Sequence, residues 1–219
     1  MTSVDTLIFD LDGTLIDSSD GVVEAVNFAL RQLGEAERSP DEIKPYIGYP
    51  LHKMFADFTD APPDELYRQF QVRAALTIVA SAVPLDGVES VLLELHRRGY
   101  RIAVATTKVR AHVDGILAKL GWTRFFEATV AGNEVPRFKP DPGAFLLALE
   151  RLNARATQAL VIGDTENDIL AARAIPIRIA AVLSPYGGHD KVRALRPDYV
   201  IATLGELPNI LSNRSREKG

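Results

Sequence analysis

A chain of 219 residues, 47% hydrophobic and 25% charged, holds one globular domain or one domain with a small insertion. Its net charge of −4 argues against nucleic acid or an anionic membrane as partner, and the lack of cysteine excludes disulfides and thiolate-bound metals. No apolar run nears the ~18–20 residues that span a membrane, and MTSVDTLIFD lacks the basic and apolar regions of a signal peptide, so the expected setting is cytoplasmic.

The first β-rich run is TLIFDLD (6–12). It is apolar without polar alternation, as in a strand buried on both faces of a parallel sheet. The segment 17–82 contains no convincing strand and is too long for a plain crossover of about a dozen residues. SSDGVVEAVNFALRQLG (18–34), LHKMFADF (51–58) and DELYRQFQVRAALTIVASA (64–82) read as helices. A helical insertion over 17–82 is therefore expected, between core segments 1–16 and 83–219.

From residue 86 onward, strands and helices alternate. DGVESVLLELHRRG (86–99) opens with Asp86 and Glu89 placed as a capping pair and ends on basic residues and Gly99. The strand runs YRIAVATT (100–107), FEATVAG (126–132), QALVIGD (158–164), RIAAVLS (178–184) and DYVIAT (198–203) follow. Between them, DPGAFLLALERLN (141–153) places Pro142 in a first helical turn after Asp141, and TENDILAARA (165–174) starts on a Thr165 cap. The tail SNRSREKG (212–219) reads as frayed. The pattern predicts an α/β fold, a doubly wound, Rossmann-like and mostly parallel sheet with an inserted helical cap.

In such sheets ligands bind outside the carboxyl ends of the strands. Asp10, Asp12, Gly13 and Thr14 stand at the first of these ends and Thr106, Thr107 and Lys108 at the second. Lys139 lies in the loop after the third, Asp164 ends the fourth, and Asp168 follows four residues later. Several acids without histidine or cysteine suit a hard cation such as Mg2+ better than zinc. Two carboxylates two residues apart repel, and a divalent cation relieves that repulsion while leaving Asp10 ionised and nucleophilic. A phosphoryl group is the electrophile whose oxygens a metal and a lysine neutralise. Gly13 permits a sharp turn that brings backbone N–H groups toward those oxygens. Asp168 has a second reading, since an acid three residues after Thr165 also completes a capping pair.

The ordered set DLDGT, a strand-ending threonine, KPDP and GDTEND resembles the haloacid dehalogenase-like superfamily, most nearly its phosphoglycolate phosphatase group. The resemblance implies a phosphatase in which Asp10 forms an aspartyl-phosphate and Asp12 is general acid and then base. It implies that Thr106 and Lys139 hold phosphoryl oxygens. Mg2+ would be bound by Asp10, the Asp12 backbone carbonyl and Asp164, with Asp168 supporting it indirectly. The stretch KPYIGYPLHKMF (44–55) resembles the group's cap loop, where Gly48 would aim Tyr49, His52 or Lys53 at a small phosphorylated metabolite. Arg68, Arg73, Lys108 and Arg110 are further candidates, and Thr14, Gly13 and Thr107 complete the phosphate side. The other histidines, His96, His112 and His189, read as surface or structural, and Trp122 as packing. Asp86 and Ile175 depart from the group's usual proline and glycine, which loosens the substrate assignment. A β-phosphoglucomutase-like phosphomutase and a pyrophosphatase share the same core. A phospho-accepting signalling receiver or binding protein is the alternative of a different class. Monomer and homodimer are both open.

Overall fold

The computed structural model describes residues 4–216. Its strands are β1 (Thr6–Phe9), β2 (Ile16–Asp17), β3 (Val83–Pro84), β4 (Arg101–Ala105), β5 (Ala128–Val130), β6 (Ala159–Gly163), β7 (Arg178–Val182) and β8 (Tyr199–Ile201). Six of them form one sheet in the order β5–β4–β1–β6–β7–β8, every neighbouring pair parallel. All six expected strands are present. The first is shorter than its apolar run: it ends at Phe9, and Asp10 makes a last ladder bond, its N–H donating to the Ile162 carbonyl at 2.8 Å. The two aspartates thus lie beyond the strand, where turn geometry and not the strand's two-residue period directs them.

Residues along each strand alternate between two apolar layers. Leu7, Phe9, Ile102, Val104, Leu160 and Ile162 face one layer, and Ile8, Ala103, Ala105, Val161, Ile179 and Ala181 face the other. Both faces are covered, so polar alternation has no place in these strands. Each fully buried large side chain contributes roughly 1.5–3 kcal/mol.

Between β2 and β3 the chain forms α1 (Ser19–Gln32), α2 (Pro40–Ile43), α3 (Leu51–Phe58) and α4 (Pro63–Ser81), and no strand among these described residues. The short α2 was not anticipated, although SPDE carries its signal: Ser39 and Glu42 make a capping box with Pro40 at the first position. Strands β2 and β3 pair antiparallel where the helical segment leaves and rejoins the sheet. The Tyr186 hydroxyl anchors this junction, accepting from Ser18 N–H at 3.2 Å and donating to Asp17 at 3.0 Å.

The remaining helices are α5 (Val88–Arg97), α6 (Arg110–Lys119), α7 (Gly143–Leu152), α8 (Glu166–Arg173), α9 (His189–Ala194) and α10 (Leu207–Arg216). Helix α5 begins behind Gly87 without a side-chain cap, so Asp86 and Glu89 do not act as the expected capping pair. Asp141 accepts from Gly143 N–H at 2.9 Å at the start of α7, and Trp122 is fully buried. The tail read as frayed continues in α10 through Arg216, and its last three residues lie outside the described ones. No helix among the described residues is long and apolar enough to cross a membrane.

Candidate active site

Numbered among themselves in chain order, the six parallel strands run 3-2-1-4-5-6, with the order reversing between β1 and β6. That point is where an open sheet leaves a crevice at its carboxyl ends. Asp10 follows β1 and Asp164 follows β6, so the topology places them side by side.

Lys139 is the centre of the cluster. Its Nζ lies 2.6 Å from Asp10 Oδ1, 2.6 Å from Asp168 Oδ1 and 3.2 Å from the Ala105 carbonyl. Lys139, Asp10, Asp164 and Asp168 are all buried. The second oxygen of Asp168 accepts from the Thr165 N–H at 3.1 Å and its hydroxyl at 2.6 Å. The capping reading of Asp168 is therefore realised: it caps α8 through one oxygen, while its other oxygen aims Lys139. Asp164 accepts from the Thr14 hydroxyl at 3.0 Å and from Ser184.

One carboxylate oxygen from each of Asp10, Asp164 and Asp168 falls within 4.8 Å of the others. Three buried acids thus face a single buried lysine. Burial, with the charge of Asp168 adding to it, pushes Asp10 up to about 7 despite the opposing pull of Lys139. Burial and the charges of Asp10 and Asp168 raise Asp164 well above the usual carboxylate range, against the hydrogen bonds from Ser184 and Thr14. Burial disfavours the Lys139 charge, but the two carboxylates outweigh it and raise its pKa. Such an excess of buried negative charge, offering only oxygen donors, fits a hard divalent cation. Asp10, Asp164 and Asp168 each bring an oxygen to this point, and Asp168 already gives one oxygen to Lys139 and the other to Thr165.

Gly13 makes the sharp turn expected of it and has a second task besides. Its N–H donates to the Ile16 carbonyl at 2.9 Å and is not free to meet a phosphate. Its φ is +75°, and a Cβ there would stand 2.2 Å from Asp164 Oδ2 and 2.6 Å from Ser184 Oγ. The missing side chain is what allows the DLDGT turn to close on Asp164. Gly13→Ala is expected to cost about 1–3 kcal/mol from backbone strain and to displace Asp164. Thermal melting should show the first effect, and a weakened Mg2+-dependent stabilisation the second.

The structure separates the two aspartates. Asp12 stands outside the carboxylate cluster, with Oδ1 accepting from the Ser18 hydroxyl at 2.5 Å and lying 3.2 Å from Lys108 Nζ. A metal role for Asp12 would rest on its backbone carbonyl alone. Its side chain lines a cavity of about 270 Å³ between the core and the helical segment, together with Thr107, Lys108 and Tyr49. Thr106 is buried after β4, and its hydroxyl accepts from Lys108 N–H at 3.3 Å.

Of the residues proposed to meet substrate, several are turned elsewhere. Lys53 is exposed, 3.1 Å from Asp57, and does not line this cavity. Arg68 pairs with Glu65 and Arg73 with Glu24, at 2.5 and 2.9 Å. Arg110 is held by Thr129 and Glu134, whose own carboxyl is depressed to about 2 because the bonds from Arg151, Ala131 N–H and Arg110 outweigh its burial. Gly48, with φ +91°, does turn the chain so that Tyr49 and His52 line the cavity, and the Tyr49 hydroxyl meets Glu166 at the start of α8. Sequence reasoning missed Ser18, Ser184 and His112. Ser184 ends RIAAVLS, so the strand-end rule that found Asp164 also pointed to it. His112 lies one turn into α6, on the side of Lys108.

The family model described as haloacid dehalogenase-like hydrolase matches residues 7–182. A protein of Bacillus cereus strain B4264 named pyrophosphatase PpaX is 30% identical over 216 residues, covering 97% of this chain and 99% of its own. Among solved structures, a protein of Bacteroides fragilis described as a haloacid dehalogenase-like hydrolase superposes with a TM-score of 0.88 at 30% identity. The match covers 94% of this chain and all of that one. A protein of Haemophilus somnus 129PT, described as a predicted phosphoglycolate phosphatase, gives 0.85 at 25% identity, covering 96% and 99%.

Proposed function

The chain belongs to the haloacid dehalogenase-like hydrolases, and we propose that within them it is a Mg2+-dependent phosphatase of a small phosphorylated metabolite, acting through Asp10. The observation that carries this reading is the buried ion pair of Asp10 with Lys139 beside Asp164 and Asp168, at the sheet's switch point. Residues 17–82 act in it as the cap over the site.

Asp10 attacks the phosphorus, forming an aspartyl-phosphate as the bond to the leaving oxygen breaks. Asp12, facing the cavity that receives the leaving group, gives its proton to that oxygen. It then takes a proton from water, whose oxygen attacks the phosphoryl group and releases orthophosphate and free Asp10. Lys139 keeps its charge beside Asp10 and offsets the phosphoryl oxygens, while Asp168 positions Lys139. Thr106 contributes its hydroxyl to the phosphoryl group and Thr14 orients Asp164. The cation held by Asp10 and Asp164 would neutralise phosphoryl charge. The helical segment covers the site and limits entry of bulk water.

The relatives' names place pyrophosphate and 2-phosphoglycolate in the test panel alongside neutral alkyl and aryl phosphates. Phosphate release measured with Mg2+ and with a chelator should appear only with the metal; absence of release from every member would end the phosphatase reading. Asp12→Ala should slow turnover about 10²–10⁴-fold for alkyl leaving groups, and least for p-nitrophenyl phosphate, which needs no proton. Equal losses for all esters would remove Asp12 from the acid role.

A further inference from the structure

The cavity in front of Asp12 measures about 270 Å³, and a dry apolar cavity of about 150 Å³ already takes a benzene ring. Ile47, Leu51, Met54, Phe70, Val109 and Phe138 form much of its wall. A two-carbon carboxylate or a second phosphate would leave most of this wall against water.

Its charges point the same way. The lysine lining it, Lys108, is already 3.2 Å from Asp12. Of the lining histidines, His52 is exposed on α3. His112 is drawn below its usual pKa by burial and by Lys108, with Asp12 opposing. Arg68, Arg73 and Lys53, the cations of α3 and α4, do not line the cavity and pair with Glu65, Glu24 and Asp57. An anionic leaving group would have Lys108, which it would share with Asp12, as the one lysine or arginine of the lining.

We propose that the cavity lined by Ile47, Leu51, Met54, Phe70, Val109 and Phe138 selects phosphate monoesters whose leaving group is neutral and largely apolar, of the size of a small ring or branched chain. This rests on the phosphatase reading above, and it sets the substrate class apart from 2-phosphoglycolate and pyrophosphate. Gln71 and His52 supply polar contacts at the exposed side of the cavity, suited to a hydroxyl or amide on an otherwise apolar group.

The test compares kcat/KM for benzyl phosphate and 3-methylbutyl phosphate with 2-phosphoglycolate, all with unactivated alkyl leaving groups, and KM for pyrophosphate. The neutral esters should lead 2-phosphoglycolate by about ten-fold or more, the scale of discrimination that apolar contacts give. Gln71 is exposed, so Gln71→Lys adds a cation to the cavity without disturbing the core, and it should shift the ratio toward 2-phosphoglycolate about five-fold or more. A wild-type preference for 2-phosphoglycolate, or a lower KM for pyrophosphate than for benzyl phosphate, overturns the proposal. If no ester is hydrolysed the phosphatase reading falls. Binding of benzyl alcohol, followed by NMR at the Met54 and Val109 methyls, then decides the cavity: shifts there support it and their absence overturns it.

Discussion

Asp10→Asn is expected to lower phosphate release by about 10⁴-fold or more while the protein remains folded. Loss of a covalent nucleophile in hydrolases costs on that scale or above, because the remaining groups act only in concert with it. The amide is nearly isosteric and keeps its place beside Lys139, which retains Asp168 and the Ala105 carbonyl as partners. Without metal, the variant should also melt higher than wild type at neutral pH. Asp10 has a folded pKa of about 7, above its unfolded value of 3.8. A group raised in this way supports the folded state fully below the unfolded pKa, and that support is lost as pH rises through the folded pKa. The metal-free wild type should therefore lose stability from about pH 4 to 7, and Asp10→Asn should flatten that slope. Mg2+ should raise the wild-type melting temperature most near and above pH 7. Full activity in Asp10→Asn would dispose of the nucleophile; an unchanged pH slope would dispose of the charge argument separately.

Lys139→Met should affect stability most. The methionine fills similar volume but leaves Asp10, Asp164 and Asp168 with no buried cation. Breaking a buried pair by removing one partner costs about 3–5 kcal/mol. At roughly 2–4 °C per kcal/mol for a chain of this size, the metal-free melting temperature should fall by about 6–20 °C. Mg2+ should restore part of that fall, because it supplies positive charge to the same acids. It should not restore turnover, since in the proposed mechanism the lysine also offsets charge on the phosphoryl oxygens. A variant that melts like wild type without metal would mean that the acids are protonated and the lysine is electrostatically idle.

The outcome of each residue traces to the kind of information that decides it. The inner strands of the sheet were legible because both faces are buried, so they appear as unbroken apolar runs such as IAVA or ALVIG. The strand-end rule then exposed Asp10, Thr106 and Asp164, because backbone direction alone places a strand's carboxyl end. Asp168 could be read as metal support or as a cap; one oxygen goes to Thr165 as the capping reading has it, and the other goes to Lys139, which spacing did not indicate. Lys53, Arg68, Arg73 and Arg110 were not legible. A long cationic side chain reaches several Å in many directions, and the acid that claims it can be four or forty-nine positions away, as Asp57 is for Lys53 and Glu24 for Arg73.

By itself, the sequence determined the α/β class, the helical character of 17–82, and the identity of the acids at the strand ends. Local apolar period and strand polarity encode these, and neither needs distant contacts. Only the tertiary structure decided that Asp10 and Asp12 part company, one toward Lys139 and the other toward Ser18 and Lys108. It alone decided that Gly13 makes room for Asp164 and that the cavity before Asp12 is apolar. Each of these depends on which residues from far along the chain arrive within 3 or 4 Å, and that is set by how the sheet order and the helical segment close on one another.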